Sequence, residues 1–161
     1  FLEKDESHYI HGSSDLHEYN NIAQWISRVE SLHSPETCPK DMVDSDVYLV
    51  VRENDNRIIG ITQIRHHINN PILSKWGGHI GYSVRPTERR KGYAKVILRI
   101  VLDACRKLGL HEVLLTCNEN NIASEKTIIG CGGVYEKTVF AELININMKR
   151  YWIKLDNDSS S

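Results

Sequence analysis

The chain has 161 residues, with 20 basic and 21 acidic side chains, a formal net charge of −1, 40% hydrophobic and 25% charged residues. That length fits one domain with a real core, and the composition is that of a soluble globular protein. The charge balance lacks the basic excess of a nucleic-acid binder, and no apolar run approaches the ~20 residues needed to span a bilayer. Neither nucleic acid nor membrane is therefore an expected partner. Cys38, Cys105, Cys117 and Cys131 form no C-x-x-C pair and read as the reduced thiols of a cytoplasmic protein. His8 and His11 have no Cys, Asp or Glu set at ligand spacing, so no metal is expected.

In chain order, Tyr19, Ile22, Trp25 or Ile26, Val29 and Leu32 recur at helical spacing, which predicts a helix over His17–Leu32. Pro35 and Pro39 close it. Val47–Arg52 and Ile58–His67 are β-rich runs across the polar turn Glu53–Arg57, the pattern of a hairpin. A loop with Pro71 and Gly77-Gly78 leads to a third strand, His79–Val84. From Tyr93 to Leu108, Ala94, Ile97, Leu98, Val101, Ala104, Cys105 and Leu108 make one apolar face, with Gly109 placed as a C-terminal cap. His111–Cys117 is short and apolar, as a buried strand should be. A helix over Ala123–Ile129 and strands over Val134–Glu142 and Asn147–Leu155 complete the chain.

The middle is thus a strand–helix–strand–helix unit with a right-handed parallel crossover, flanked by hairpins. This predicts an α+β (mixed α/β) fold with one central, mostly antiparallel sheet. It spans 1–156, with a polar tail at 157–161.

The junction between the third strand and its helix carries the chemistry. A helix start offers unpaired N–H groups and the positive end of the dipole, which together accept an anion. Gly92 lets the backbone approach a ligand with no Cβ in the way. Arg85, Arg89, Arg90, Lys91, Lys95 and Arg99 concentrate positive charge there in an otherwise neutral chain. The same features also describe a solvated basic helix start. The P-loop pattern Gly-x-x-x-x-Gly-Lys-Ser/Thr is absent, which weakens a nucleotide-binding reading.

Arg89-Arg90-Lys91-Gly92-Tyr93-Ala94 resembles the signature of the GNAT superfamily of N-acetyltransferases, a Gln or Arg followed by x-x-Gly-x-Gly or x-x-Gly-x-Ala. Ile80-Gly81-Tyr82-Ser83-Val84-Arg85-Pro86 resembles that superfamily's fourth strand, and Asn121-Ile122-Ala123-Ser124 the opening of its next helix. The similarity covers about residues 47 to 155. Gly77-Gly78-His79-Ile80-Gly81-Tyr82 and Tyr151-Trp152-Ile153 look closest to a poorly characterised bacterial branch.

The resemblance implies an acetyl-CoA-dependent N-acetyltransferase fold with a β-α-β-α cofactor-binding core and a C-terminal hairpin. It implies backbone N–H contacts from Arg90 to Lys95 with the cofactor's pyrophosphate, beside Arg89. It also implies strand-like pairing of the pantetheine arm at Val84, with Asn121 and Ser124 close to that arm. Further implications are an additional strand ahead of residue 1 and, by family habit, a homodimer through an exposed edge among the last strands.

The implied reaction is attack of a neutral primary amine, of a small molecule or a peptide, on the thioester. Alkyl amines are mostly protonated at neutral pH, so a base, oxyanion donors and a fate for the thiolate are all required. The resemblance implies that a backbone N–H near Val84 meets the oxyanion, as in relatives. Many relatives protonate the thiolate with a Tyr seven residues after the helix-opening Asn; Ile128 stands there in this chain. Tyr135, a water, or departure of the free thiolate are the alternatives. His79, at the start of the strand and with an imidazole of suitable range, is the candidate base. His66 and His67 alternate along the second strand and face opposite sides, and either is a candidate to line the acceptor pocket. Cys117 reads as a small buried hydrophobe. Transfer of a longer acyl group and a non-catalytic acyl-CoA sensor or scaffold are the competing readings.

Overall fold

The computed structural model describes residues 9–155. His8, the tail at 157–161 and the strand expected ahead of residue 1 lie outside the described residues. A short 3-10 turn, Leu16–Glu18, precedes α1 (Ile22–Leu32). Then come β1 (Ser45–Arg52), β2 (Arg57–Arg65), a single π turn at Leu73–Gly77 and β3 (Ile80–Val84). A 3-10 turn at Pro86–Glu88 leads into α2 (Tyr93–Lys107), β4 (Glu112–Asn118), α3 (Ile122–Gly130), β5 (Val134–Ala141) and β6 (Ile146–Lys154).

The mixed α/β class holds, but the sheet is divided. β1, β2 and β3 form one antiparallel sheet in that order, and β4, β6 and β5 form a second. The expected crossover strands, β3 and β4, lie side by side without a ladder. His79 N–H donates to the Leu114 carbonyl at 2.8 Å, and no further backbone hydrogen bond joins the two strands among the described residues.

Local sequence accounts for the element ends. α1 begins later than the periodicity predicts because Asn21 caps it, its Oδ1 accepting from Ala23 N–H at 2.8 Å. Within α1, Trp25, Val29 and Leu32 of the stripe turn inward, and Tyr19 packs on the same cluster from the preceding turn; Ile22 and Ile26 are exposed. Trp25 packs with Ile10, Leu16 and Ile61 on one face of the first sheet, and its indole donates to the Ser13 carbonyl at 2.7 Å. On the other face α2 buries Ile97, Leu98, Val101, Leu102 and Cys105 against Ile64, Ile80, Val113 and Leu115. Each such aliphatic side chain contributes ~1.5–3 kcal/mol relative to exposure. Gly60 permits that approach, since a Cβ there would meet Ile97 Cδ1 at 2.4 Å.

Because β3 and β4 both lead into helices, α2 and α3 both start at the C-terminal ends of the two unladdered strands. That end of the gap is where the helix N–H groups collect.

Candidate functional site

The loop from Arg85 to Lys95 is built to leave its donors open. Arg85 N–H is bound by the Ile59 carbonyl at 2.7 Å, and Glu88 N–H by the Arg85 carbonyl at 2.9 Å. Arg90 (φ +62°) and Gly92 (φ +83°) then adopt left-handed backbone, which turns the chain into α2. Gly92 caps α2 with no side chain to satisfy the first N–H groups. A Cβ at Gly92 would have nothing within 4 Å, so the space before the helix start is open. Successive N–H groups in such a turn form a concave anion cradle. The cofactor implied by the sequence therefore fits the residues at this position.

An acid that sequence reasoning missed holds the loop. Glu88 is buried at 4% exposure. It accepts from Arg57 Nε at 2.8 Å, Lys91 Nζ at 2.9 Å and Arg52 Nη1 at 3.0 Å. Arg52 Nη1 also donates to the Tyr93 hydroxyl at 3.0 Å, which ties the β1–β2 hairpin to the first turn of α2. Hydrogen bonds from Lys91 and Arg52 hold the Glu88 carboxyl down to about 2. Lys91 thus directs its ammonium toward Glu88. Arg89 Nε turns back to the Val84 carbonyl at 3.3 Å, and the side chains of Arg90 and Lys95 are exposed. The one signal in the sequence was an acid at 88 amid bases, but its partners at 52 and 57 are remote in the chain.

Val84 ends β3 beside the loop. Asn121 caps α3, its Oδ1 accepting from Ser124 N–H at 3.1 Å. Ser124 Oγ lies 3.2 Å from the Tyr82 hydroxyl, so the β3 side and the α3 start touch across the gap. Val84, Arg89–Lys95, Asn121 and Ser124 are all drawn to one end of the unladdered gap. Ile128 is 1% exposed and packs under Gly133, where a Cβ would meet Ile128 Cγ2 at 2.5 Å. It belongs to the core.

The histidines are placed differently from the expectation. His79 is 6% exposed, and its Nδ1 accepts the Leu114 N–H at 2.9 Å. Burial, with the charges of Arg65 and His67, pushes it down to about 4. A base so weak, with one nitrogen already occupied, is poorly suited to deprotonating an amine. His66 and His67 do not alternate, because β2 ends at Arg65 and both rings turn to Asp44. His66 Nδ1 meets Asp44 Oδ2 at 2.5 Å and its Nε2 meets Asp46 Oδ2 at 2.9 Å. His67 Nε2 lies 3.2 Å from Asp44 Oδ1, and His33 joins the group through Asp46. Burial opposes charge on His66, but hydrogen bonds to Asp46 and Asp44 override it and raise its pKa. This cluster clamps β1 to the end of β2.

All four cysteines are free. Cys117 is buried, and burial, reinforced by Glu125, pushes its thiol up to about 11, which rules out an activated nucleophile. Tyr135 is exposed and paired with Thr138 at 2.9 Å, its ring stacked edgewise on Tyr151. Those two rings, with Glu125, Ile129, Gly133, Val134 and Lys149, line a cavity of about 600 Å³ that none of the expected cofactor residues touches. No helix among the described residues is long and apolar enough to cross a membrane.

No curated protein sequence matches the chain. Among solved structures, the dodecameric spermidine N-acetyltransferase of Vibrio cholerae is similar at TM-score 0.66 and 18% identity, over 93% of this chain and 84% of that one. The ribosomal-protein-S5-alanine acetyltransferase of Vibrio fischeri is similar at TM-score 0.59 and 22% identity, over 70% and 63%. At those identities the likeness concerns the fold. The sequence profile of the acetyltransferase (GNAT) family matches residues 16–137, most of the chain. An open helix start after β3, a parted sheet beside it and this match agree: the chain belongs to the acetyltransferase (GNAT) family and is an acyltransferase.

Proposed function

We propose that the protein moves an acetyl group from acetyl-CoA to a primary amine, by direct attack of the amine on the thioester. The observation that carries this reading is the gap between β3 and β4, which is unladdered beyond His79 and meets the uncapped start of α2 at its far end. An extended arm with amide groups can pair with the free strand edges, and a pyrophosphate can end on the helix N–H groups.

In this reading the backbone of Arg90–Lys95 holds the pyrophosphate, with Glu88 fixing the loop's shape. Val84 pairs with the pantetheine arm, and a neighbouring backbone N–H meets the oxyanion. Asn121 and Ser124 border the arm from the α3 side. Acetyl-CoA supplies the acyl group as an activated thioester. His79 enters as the rung that closes the foot of the gap, and the amine proton leaves through water. With Ile128 buried in the core, no side chain on α3 protonates the thiolate, and it departs unassisted or takes a solvent proton. Free thiols and the exposed β5 support a cytoplasmic enzyme that self-associates through its last strands.

The test is isothermal titration with acetyl-CoA, free CoA and ATP, followed by an amine screen. Micromolar binding of acetyl-CoA without ATP binding, then transfer to an amine, is expected. Binding with no transfer to any amine would make the protein an acyl-CoA sensor. No binding of either cofactor form would end the reading.

A further inference from the structure

Arg65, the last residue of β2, has no carboxylate partner among the described residues. Its Nη1 donates to the Gly78 carbonyl at 2.9 Å and lies 3.4 Å from that of Gly77. Arg52 and Arg57 bind Glu88, and Arg150 binds Glu136. Among the described residues no ion pair includes Arg65. Asp15 and Tyr9 favour its charge without forming an ion pair with it, and His79 and His67 on the same side add no negative charge. Burial pulls the guanidinium's pKa down. The side chain nonetheless keeps part of its surface open, so it lies deep but reachable.

Its position gives this charge a direction. Ile64 pairs with Ile80 on the α2 side, so Arg65 and His79, aligned by Arg65 N–H donating to the His79 carbonyl at 2.8 Å, share the opposite face. Gly81 and Ser83 continue that face. There Gly12 packs so close that a Cβ at Gly81 would meet its Cα at 3.0 Å, and Ser83 Oγ donates to the His11 carbonyl at 2.8 Å. The cradle at α2 and the α3 start lie on the other side. Arg65 therefore stands at the foot of the gap, on the face from which an acceptor can approach without crossing the cofactor.

A deep cation without a counter-charge is unfavourable. Two carbonyls satisfy one nitrogen and leave the planar fork free to take two oxygens of an anion. We propose that Arg65 anchors an anionic group, a carboxylate or a phosphate monoester, on the acceptor, so that the enzyme acetylates amines that carry a negative charge. This rests on the acetyltransferase reading above. In the step itself the acceptor nitrogen bonds to the acyl carbon as the carbon–sulfur bond breaks, the ammonium's protons pass to water and to the leaving thiolate, and the anion on the acceptor is unchanged. A polycation such as spermidine would be repelled from this corner.

The experiment pairs each acceptor with its uncharged counterpart: amino acids with the matching decarboxylated amines, and O-phosphoethanolamine with ethanolamine, with spermidine added. The expected result is a preference for the anionic member of at least about tenfold, the effect of one good ionic contact. Arg65→Gln should raise KM for anionic acceptors until that ratio collapses, with acetyl-CoA affinity unchanged by titration. Arg65→Lys should restore part of it. The carboxylate and phosphate pairs identify which anion is taken. Better turnover of spermidine or of the decarboxylated amines, or an Arg65→Gln variant that keeps the ratio, overturns the proposal. If acetyl-CoA does not bind, the parent reading fails first. Direct titration of the wild type with the anionic amines then decides the Arg65 site, and absence of binding overturns it.

Discussion

His79 grips Leu114 twice, its N–H donating to the carbonyl at 2.8 Å and its Nδ1 accepting the N–H at 2.9 Å. A side chain thereby completes a backbone pairing that the two sheets do not otherwise make. His79→Ala leaves the Leu114 N–H unsatisfied in the interior, at a cost of ~1–3 kcal/mol. His79→Asn offers Oδ1 in place of Nδ1 and should retain most stability and turnover. Thermal melts and steady-state rates decide: an Asn variant that melts normally but is inactive would make His79 the base after all.

The same residue sets an acid limb. The fold holds His79 neutral, down to about 4, whereas the unfolded ring titrates near 6.5. Between those values the unfolded chain binds more protons, so stability is full above 6.5 and falls as pH drops toward 4, by at most ~3 kcal/mol. Across that window the melting temperature of wild type should fall more steeply than that of His79→Asn; equal slopes would show that the imidazole is not responsible.

His66 works in the opposite direction. Its two carboxylate partners raise its pKa, so its contribution is complete below about 6.5 and is lost as pH rises through the folded value. The melting-point gap between wild type and His66→Gln should therefore shrink on going to alkaline pH. A gap that is constant with pH would show that the ring acts by shape alone.

Glu88 carries three basic partners on one buried carboxylate. Glu88→Gln keeps the shape but removes the charge, leaving Arg52, Arg57 and Lys91 to repel one another. CoA affinity and melting temperature should both fall. The share of acid lability between 4.5 and about 2 that comes from this depressed carboxyl taking up its proton should be absent in the variant, so the variant's stability should fall less steeply there. Unchanged CoA affinity would mean that the loop keeps its form without this hub.

Gly92 separates binding from folding. Its φ of +83° makes any side chain cost about 1 kcal/mol in backbone strain, yet the space ahead of it is open. Gly92→Glu should therefore fold, with a small loss in melting temperature, and lose CoA binding because a carboxylate occupies the cradle. Wild-type affinity in that variant would remove the loop from the binding site.

Periodicity was enough to read the helices and strands, because α2 and β4 announce themselves through Ile97, Leu98, Val101 and Val113–Leu115. The open turn ahead of α2 was readable for a similar reason: its residues are contiguous. Contacts between distant positions were not. Nothing near 88 points to Arg52, nothing near 66 points to Asp44 and Asp46, and the lack of a carboxylate partner for Arg65 among the described residues is a property of what surrounds it. His79 looked like a base because its residue type suits one, and only its burial and its bond to Leu114 reveal a rung.

The parted strands also bear on how the protein behaves in solution. Two strand edges facing each other across an unladdered gap are a template for any extended backbone, including that of another copy. Where the gap is filled, those amides are engaged and the two sheets act as one. Where it is empty, the region around Val84 and Asn118 is the chain's weak seam, the place where misassembly would begin and where saturating ligand during purification would suppress it.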